Sequence, residues 1–216
     1  RGIEDFLEEC KQLATSELEA SVEDLEYHQG NIKVKGTRVG IGIFDLCSRQ
    51  SGNSISVKRK KELTGRSWPN GCHVAEVEID AETGEVRLDR YVSVDDVGNT
   101  VNPMIVHGQV QGGIASGLGQ AVLERTEYDA SGQLLSGSYM DYALPRADDM
   151  PSLSGSLFEK APCLTNPLGA KGTGEIGAVA GPPAIVHAVI DALAEKGITQ
   201  VDMPLQPQKI WECLNR

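Results

Sequence analysis

CHVAEVEIDAETGEVRLDRYVSVDD, residues Cys72 to Asp96, carries the strongest structural signal in the chain. Ala75, Val77 and Ile79 alternate with Glu76, Glu78 and Asp80, the period of two expected of a strand with one buried face. Glu82-Thr83-Gly84 supplies a turn, after which Val86, Leu88, Val92 and Val94 are expected to point to the same face. The stretch therefore predicts an antiparallel hairpin that needs a partner layer on one side. Helical periods flank it. Ile3, Phe6, Leu7, Cys10, Leu13, Ala14 and Leu18 recur every three or four residues, as do Val110, Ile114, Leu118 and Val122 in a helix opening near His107. A third helix carries Ile185, Val186, Val189, Ile190 and Leu193, with Pro182-Pro183 at its expected start and Lys196-Gly197 at its end. Smaller hairpins are expected around Gln29-Gly30 and Lys35-Gly36 and across Glu124 to Tyr142, with a further strand at Ser154 to Lys160. Helices mixed with antiparallel hairpins in this order give an α+β fold, a sheet packed with helices.

Composition narrows the function classes. The 216 residues are long enough to bury a core, and 40% of them are hydrophobic. A net charge of −11 repels polyanions and argues against nucleic acid as the main partner. The four basic residues at Lys58 to Lys61 lie in a polar stretch from Arg49 and read as a solvated loop. Five scattered cysteines, Cys10, Cys47, Cys72, Cys163 and Cys213, show no metal-binding or disulfide spacing, which suits a reducing, cytoplasmic setting. No apolar run is read as reaching membrane-spanning length, so no membrane span is expected. Glycine is in excess, 24 residues or about 11% against an average near 7%, and it is clustered.

Two glycine clusters could hold chemistry. Gly172-Thr173-Gly174-Glu175-Ile176-Gly177 matches the dinucleotide pattern G-x-G-x-x-G literally. Its context is wrong, because Asn166 to Lys171 is a loop sequence where an apolar parallel strand is required. A nicotinamide-binding oxidoreductase is thus a minor alternative. What remains is a loop with accessible backbone N–H groups that presents Glu175 beside Lys171. Glu175 is either a general base flanked by glycines that leave room for a ligand, or a solvated residue of a sharp turn. The second cluster, Gly108-Gln109-Val110-Gln111-Gly112-Gly113, is read as opening a helix. It offers N–H groups and the Gln109 amide to an anionic ligand, or it serves close helix packing. Asp95-Asp96 should point to opposite faces unless a bulge intervenes, and His28, His73, His107 and His187 show no metal spacing.

Taken in order, GCHVAEVEIDAETGEVRLDRYVSVDDVGNTVNP at 71–103, GQVQGGIASGLGQAVLE at 108–124, YMDYALPRADDMP at 139–151 and NPLGAKGTGEIGAVAGPPAIVHAVIDAL at 166–193 are specific. With VDMPLQPQKIW at 201–211, the chain resembles the C-terminal portion of the molybdenum-cofactor-binding large subunit of the xanthine dehydrogenase, aldehyde oxidase and carbon monoxide dehydrogenase family. The resemblance implies a molybdenum hydroxylase that oxidises a small substrate with water as oxygen source. It implies Glu175 as the base beside the metal and Gln109 as a contact to the pterin cofactor. Gly108, Gly112, Lys171, Gly172 and Gly174 are expected to complete the cofactor-binding set, with no protein ligand to the metal. The cofactor implied is molybdopterin or its cytosine dinucleotide form, and electrons would leave through iron–sulfur and FAD partner subunits or domains.

Ile176-Gly177 follow the glutamate where xanthine and aldehyde oxidases usually carry two prolines, a pattern closer to the carbon monoxide dehydrogenase-like branch. The family's glycine-phenylalanine loop and substrate-selecting residues have no counterpart here. With Arg1 rather than Met in first place, this predicts a piece of a longer subunit whose N-terminal half is its first partner. Two intertwined α+β subdomains are expected, 1–70 with 126–165 and 71–125 with 166–216. Alone the chain is expected to be inactive and to hold no cofactor tightly. The alternative of another class is a non-catalytic cofactor-holding or assembly module.

Overall fold

The computed structural model describes residues 2–60 and 65–215. The chain forms two compact units, Arg1–Glu62 and Leu63–Arg216. In the smaller unit, helix α1 (Gly2–Leu18) packs on an antiparallel sheet of β1 (Leu25–His28), β2 (Asn31–Val34) and β3 (Gly40–Gly42), followed by α2 (Ile43–Ser48). Gln29 and Gly30 both take positive φ, which gives the two-residue turn the right twist for β1 and β2. Cys10, Ala14, Leu25, Ile32, Ile41 and Leu46 form its core. Sequence periodicity located α1 and the hairpins and passed over the six-residue α2. The expected basic run Lys58 to Lys61 is exposed at Lys58, Arg59 and Lys60, and Lys61 lies outside the described residues.

The larger unit is built on β4 (Asn70–Ile79) and β5 (Val86–Asp96), paired antiparallel as expected. β6 (Leu153–Leu157) adds to β5 in parallel. This places 153–157 in the sheet of the larger unit, whereas the sequence reading grouped 126–165 with 1–70. Helices α3 (Pro103–Leu118), α4 (Ile176–Leu193) and α5 (Pro207–Leu214) complete it, with a π-helical turn at Gly119–Leu123. Val86, Leu88 and Tyr91 of β5, Val110, Ile114 and Leu118 of α3, and Ile185, Val189 and Leu193 of α4 share one core. The architecture is α+β, sheets packed with helices.

Five expectations change. Register shifts where Glu76 opposes Arg90 and Val77 opposes Leu88, so Asp89 is the extra residue of a β-bulge. The bulge inverts the pleat, burying Tyr91, Ser93 and Asp95 and turning Val92 and Val94 outward. Second, α3 begins at Pro103, capped by the Asn102 side chain accepting from the Ile105 N–H at 3.2 Å, so Gly108 and Gln109 lie inside the helix. Third, α4 begins at Ile176, and Pro182 and Pro183 fall within it. Their missing N–H groups and rings would ordinarily break a helix. Here Pro182 is buried against α3, and tertiary contact overrides propensity. Fourth, Ile176–Lys196 is apolar enough and long enough to cross a membrane by composition, with mean hydropathy 1.6. Ile176, Ile185, Val189 and Leu193 of this helix are buried in the unit, and 39% of the apolar window is buried in all. The hairpin expected across 124–142 is reduced to one bridge, Tyr128 with Leu134, around a turn in which the Asp129 carboxylate accepts from Ser131 and Gln133.

The inverted pleat has a measurable consequence. Tyr91→Ala should cost about 3–5 kcal/mol in chemical denaturation, in the range of a large buried aromatic, whereas Val92→Ala should cost less than about 1 kcal/mol.

Candidate functional site

Helices α3 and α4 touch backbone to backbone. A Cβ added at Gly113 would sit 2.8 Å from the Ala178 nitrogen and the Gly177 Cα, and one at Gly177 would meet the Val110 carbonyl oxygen and the Ile114 nitrogen. One turn on, a Cβ at Gly117 would sit 2.9 Å from Pro182 Cδ and 3.1 Å from the Gly181 Cα. Glycines four apart on each helix therefore form the contact, since any side chain there would force the axes apart.

That contact fixes the N-terminus of α4, and hence the loop before it, against the side of α3. Gln109 Oε1 comes within 4.0 Å of where a Gly174 side chain would begin. Glu175, at the N-cap position of α4, follows directly; it is exposed, and no side chain among the described residues caps with it or bonds to it. The structure thus brings Gln109 beside Gly174, 65 positions later in sequence, with Glu175 the next residue.

The other predicted glycines behave differently from the contact set. A Cβ at Gly108, Gly112 or Gly172 would meet nothing within 4 Å. Gly112 lies three residues from Gln109, on the adjoining strip of α3. Exposed glycine inside a helix costs roughly 0.5–1 kcal/mol relative to alanine, and no packing within the described residues offsets it at Gly108 or Gly112. The expected anion-binding terminus at Gly108 is corrected by the earlier start of α3: the N–H groups of this second turn lie within the helical ladder.

Lys171 does not turn toward Glu175 as a free cation. Its ammonium bonds Asp96 Oδ2 at 2.6 Å, with side-chain exposures of only 10% and 12%. Burial would raise the Asp96 carboxyl, but the Lys171 ammonium and the Gly98 N–H outweigh it and hold the carboxyl below the ordinary carboxylate range. A folded-state value below the unfolded one means this contribution is complete above the ordinary range and is lost as pH falls through the lowered value.

Sequence reasoning also missed a buried chain of polar side chains. His73 Nε2 lies 2.8 Å from Asp95 Oδ1 and His73 Nδ1 lies 2.9 Å from the Tyr91 hydroxyl. The His73 and Asp95 side chains are 2% and 0% exposed. Burial, and then the Asp95 charge, push the Tyr91 phenol above its ordinary value. The signal was the adjacent polar pair Asp89-Arg90, which breaks the alternation where the bulge sits. Among the described residues, no group of three or more His, Cys, Asp or Glu side chains is placed to hold a metal ion.

Residues 1–151 match the model of the molybdopterin cofactor-binding domain. The chain belongs to that family. Within it, the chain closely matches the molybdopterin-binding domain of the xanthine, aldehyde and carbon monoxide dehydrogenase large subunits. It is 32% identical over 216 residues to the 6-hydroxypseudooxynicotine dehydrogenase complex subunit gamma of Paenarthrobacter nicotinovorans, covering 95% of this chain and 27% of that one. Similar solved structures include quinoline 2-oxidoreductase from Pseudomonas putida 86, with TM-score 0.72 and 33% identity over 99% of this chain and 28% of that chain. Carbon monoxide dehydrogenase from Oligotropha carboxidovorans superposes with TM-score 0.75 at 27% identity, over 98% of this chain and 27% of that chain. The chain spans about a quarter of the length of these relatives. Membership in a molybdenum hydroxylase family of oxidoreductases follows.

Two classes of glycine imply stability changes of opposite sign. Gly177→Ala should destabilise the chain by about 1–3 kcal/mol or more, as overpacking against backbone does. Gly112→Ala should stabilise it by about 0.5–1 kcal/mol through helix propensity. Denaturation midpoints of the two variants check both.

Proposed function

We propose that this chain supplies one wall of the molybdenum–pterin pocket of a hydroxylase large subunit, with Glu175 as the general base. The observation that carries the reading is that no part of the described chain covers Gly108 and Gly112, which flank Gln109 on α3, or Gly172 in the loop, while Gln109 lies beside Gly174, the residue before Glu175. Such a group fits these residues: Gly108, Gly112, Gly172 and Gly174 leave backbone accessible to a flat ligand, and the Gln109 amide offers both a donor and an acceptor. The molybdenum–pterin group supplies two-electron redox chemistry when bound.

The protein's own part is geometric and protonic. Glu175 accepts, at a carboxylate oxygen, the proton that water gives up as it becomes the oxygen donor to a small substrate. Its backbone, at the N-cap position of α4, is placed by the glycine contact, which supports positioning of the base. Gln109 orients the pterin. Lys171 serves the pocket through the position of its loop, because Asp96 takes its charge.

The rest of the pocket belongs to an N-terminal half of the same large subunit, and iron–sulfur and flavin partners take the electrons. Exposed apolar side chains along the pocket side of the larger unit, Val101 at 75%, Met104 at 77% and Ile105 at 56%, suit a surface that another segment covers. The chain alone is then inactive and binds pterin weakly, since a cleft with one wall leaves the ligand's polar groups in water.

Glu175→Gln in the complete large subunit with its partners should lower turnover by about 10²–10⁴-fold or more, at unchanged molybdenum content. Turnover at the wild-type level would contradict the base and favour a holding role without catalysis.

A further inference from the structure

We propose that the Asp96–Lys171 ion pair is a positioning device that holds the base-bearing loop in register with α3; this rests on the reading of Glu175 as the base. Residues 166–175 contain no strand or helix, yet they carry Gly172, Gly174 and Glu175. Their order comes from the segment that joins β5 to α3. The Asn99 N–H donates to the Gly169 carbonyl at 2.9 Å, the Asn99 side-chain amide to the Leu168 carbonyl at 2.8 Å, and the Lys171 N–H to the Val97 carbonyl at 2.7 Å. Gly98 and Ala170 form an antiparallel bridge. A Cβ at Gly98 would collide with the Gly169 carbonyl oxygen, so here too backbone meets backbone.

Among these contacts the ion pair alone carries charge, and it is largely shielded from water. Asp96 is saturated from both sides: Oδ1 accepts the Gly98 N–H at 2.9 Å and Oδ2 accepts Lys171 at 2.6 Å. Lys171 stands four residues before Glu175, and Asp96 six residues before Asn102, the cap of the helix that carries Gln109. One pair thus ties together the two chain segments that frame the site. Removing either partner leaves the other charge shielded from water and unpaired, a penalty relieved by proton uptake or loss at that group or by movement of the loop. Moving the loop displaces Glu175, and a shift near 1 Å at a reacting group costs on the order of 10²-fold in rate.

The test uses the complete large subunit with its partners and compares Asp96→Asn, Lys171→Met and Lys171→Arg with Glu175→Gln. Lys171→Met keeps the length of the stem, so it decides the matter if Asp96→Asn does not accumulate. Expected are faster amide hydrogen exchange at 168–176 in both neutralised variants, and kcat per bound molybdenum lowered by about 10²-fold with KM and molybdenum content near wild type. Lys171→Arg should restore most of the rate and the protection. Unchanged exchange at 168–176, or faster exchange with wild-type kcat per molybdenum, overturns the proposal. Loss of activity that merely follows loss of molybdenum also overturns it, as that marks a purely structural pair. An active Glu175→Gln would overturn the base instead, and the exchange data would still decide whether the pair holds the loop.

Discussion

Contact between the backbones of α3 and α4 at Gly113, Gly117, Gly177 and Gly181 is the constraint on which the larger unit depends. Helices with side chains at the crossing would stand further apart, and the interaxial distance sets everything that follows. At this separation Ile114 and Ile185 share a core, Pro182 is tolerated inside a helix, and the first turn of α4 lies beside Gln109. Packing thus sets one end of the site, because the helix after the loop is fixed by the glycine contact, while the segment joining β5 to α3 holds the loop itself.

A single extra residue does comparable work in the sheet. Asp89 shifts the pleat of β5, so Tyr91 enters the core and Ser93 and Asp95 face inward behind it. Most buried polar groups have partners, although Ser93 Oγ and Asp95 Oδ2 have none among the described residues. Asp95 finds His73 across the hairpin, and Asp96, at the end of the strand, finds Lys171. The end of β5 thus meets both the core of the sheet, through Asp95, and the loop that presents Glu175, through Asp96. Lys171 and the Gly98 N–H hold the Asp96 carboxyl below the ordinary carboxylate range.

Much of this was legible in the sequence, for physical reasons. Strict alternation over Ala75 to Ile79 and the Glu82-Thr83-Gly84 turn admit one structure, and the four ordered motifs carried the family resemblance. Val92 and Val94 misled because alternation is counted along the chain, whereas a bulge resets the count, and Asp89-Arg90 was its only mark. The starts of α3 and α4 misled for different reasons: α3 opens at the Asn102-Pro103 cap, a start signal passed over for the glycines that follow, and α4 continues through Pro182-Pro183 because tertiary contact outweighs propensity. Which glycines pack and which stay open was not visible at all. Gly112 and Gly113 are neighbours in sequence with opposite surroundings, and only the crossing point of a second helix separates them.

The assignment of the uncovered glycines to the cofactor is the claim on which the functional account rests. The most direct measurement is the molybdenum and pterin content of the complete large subunit carrying Gly112→Leu, a substitution that faces open space in the described structure. The account predicts a folded subunit with cofactor content reduced several-fold or more, because the added side chain occupies the ligand's place. A folded Gly112→Leu subunit with full molybdenum and pterin would contradict it.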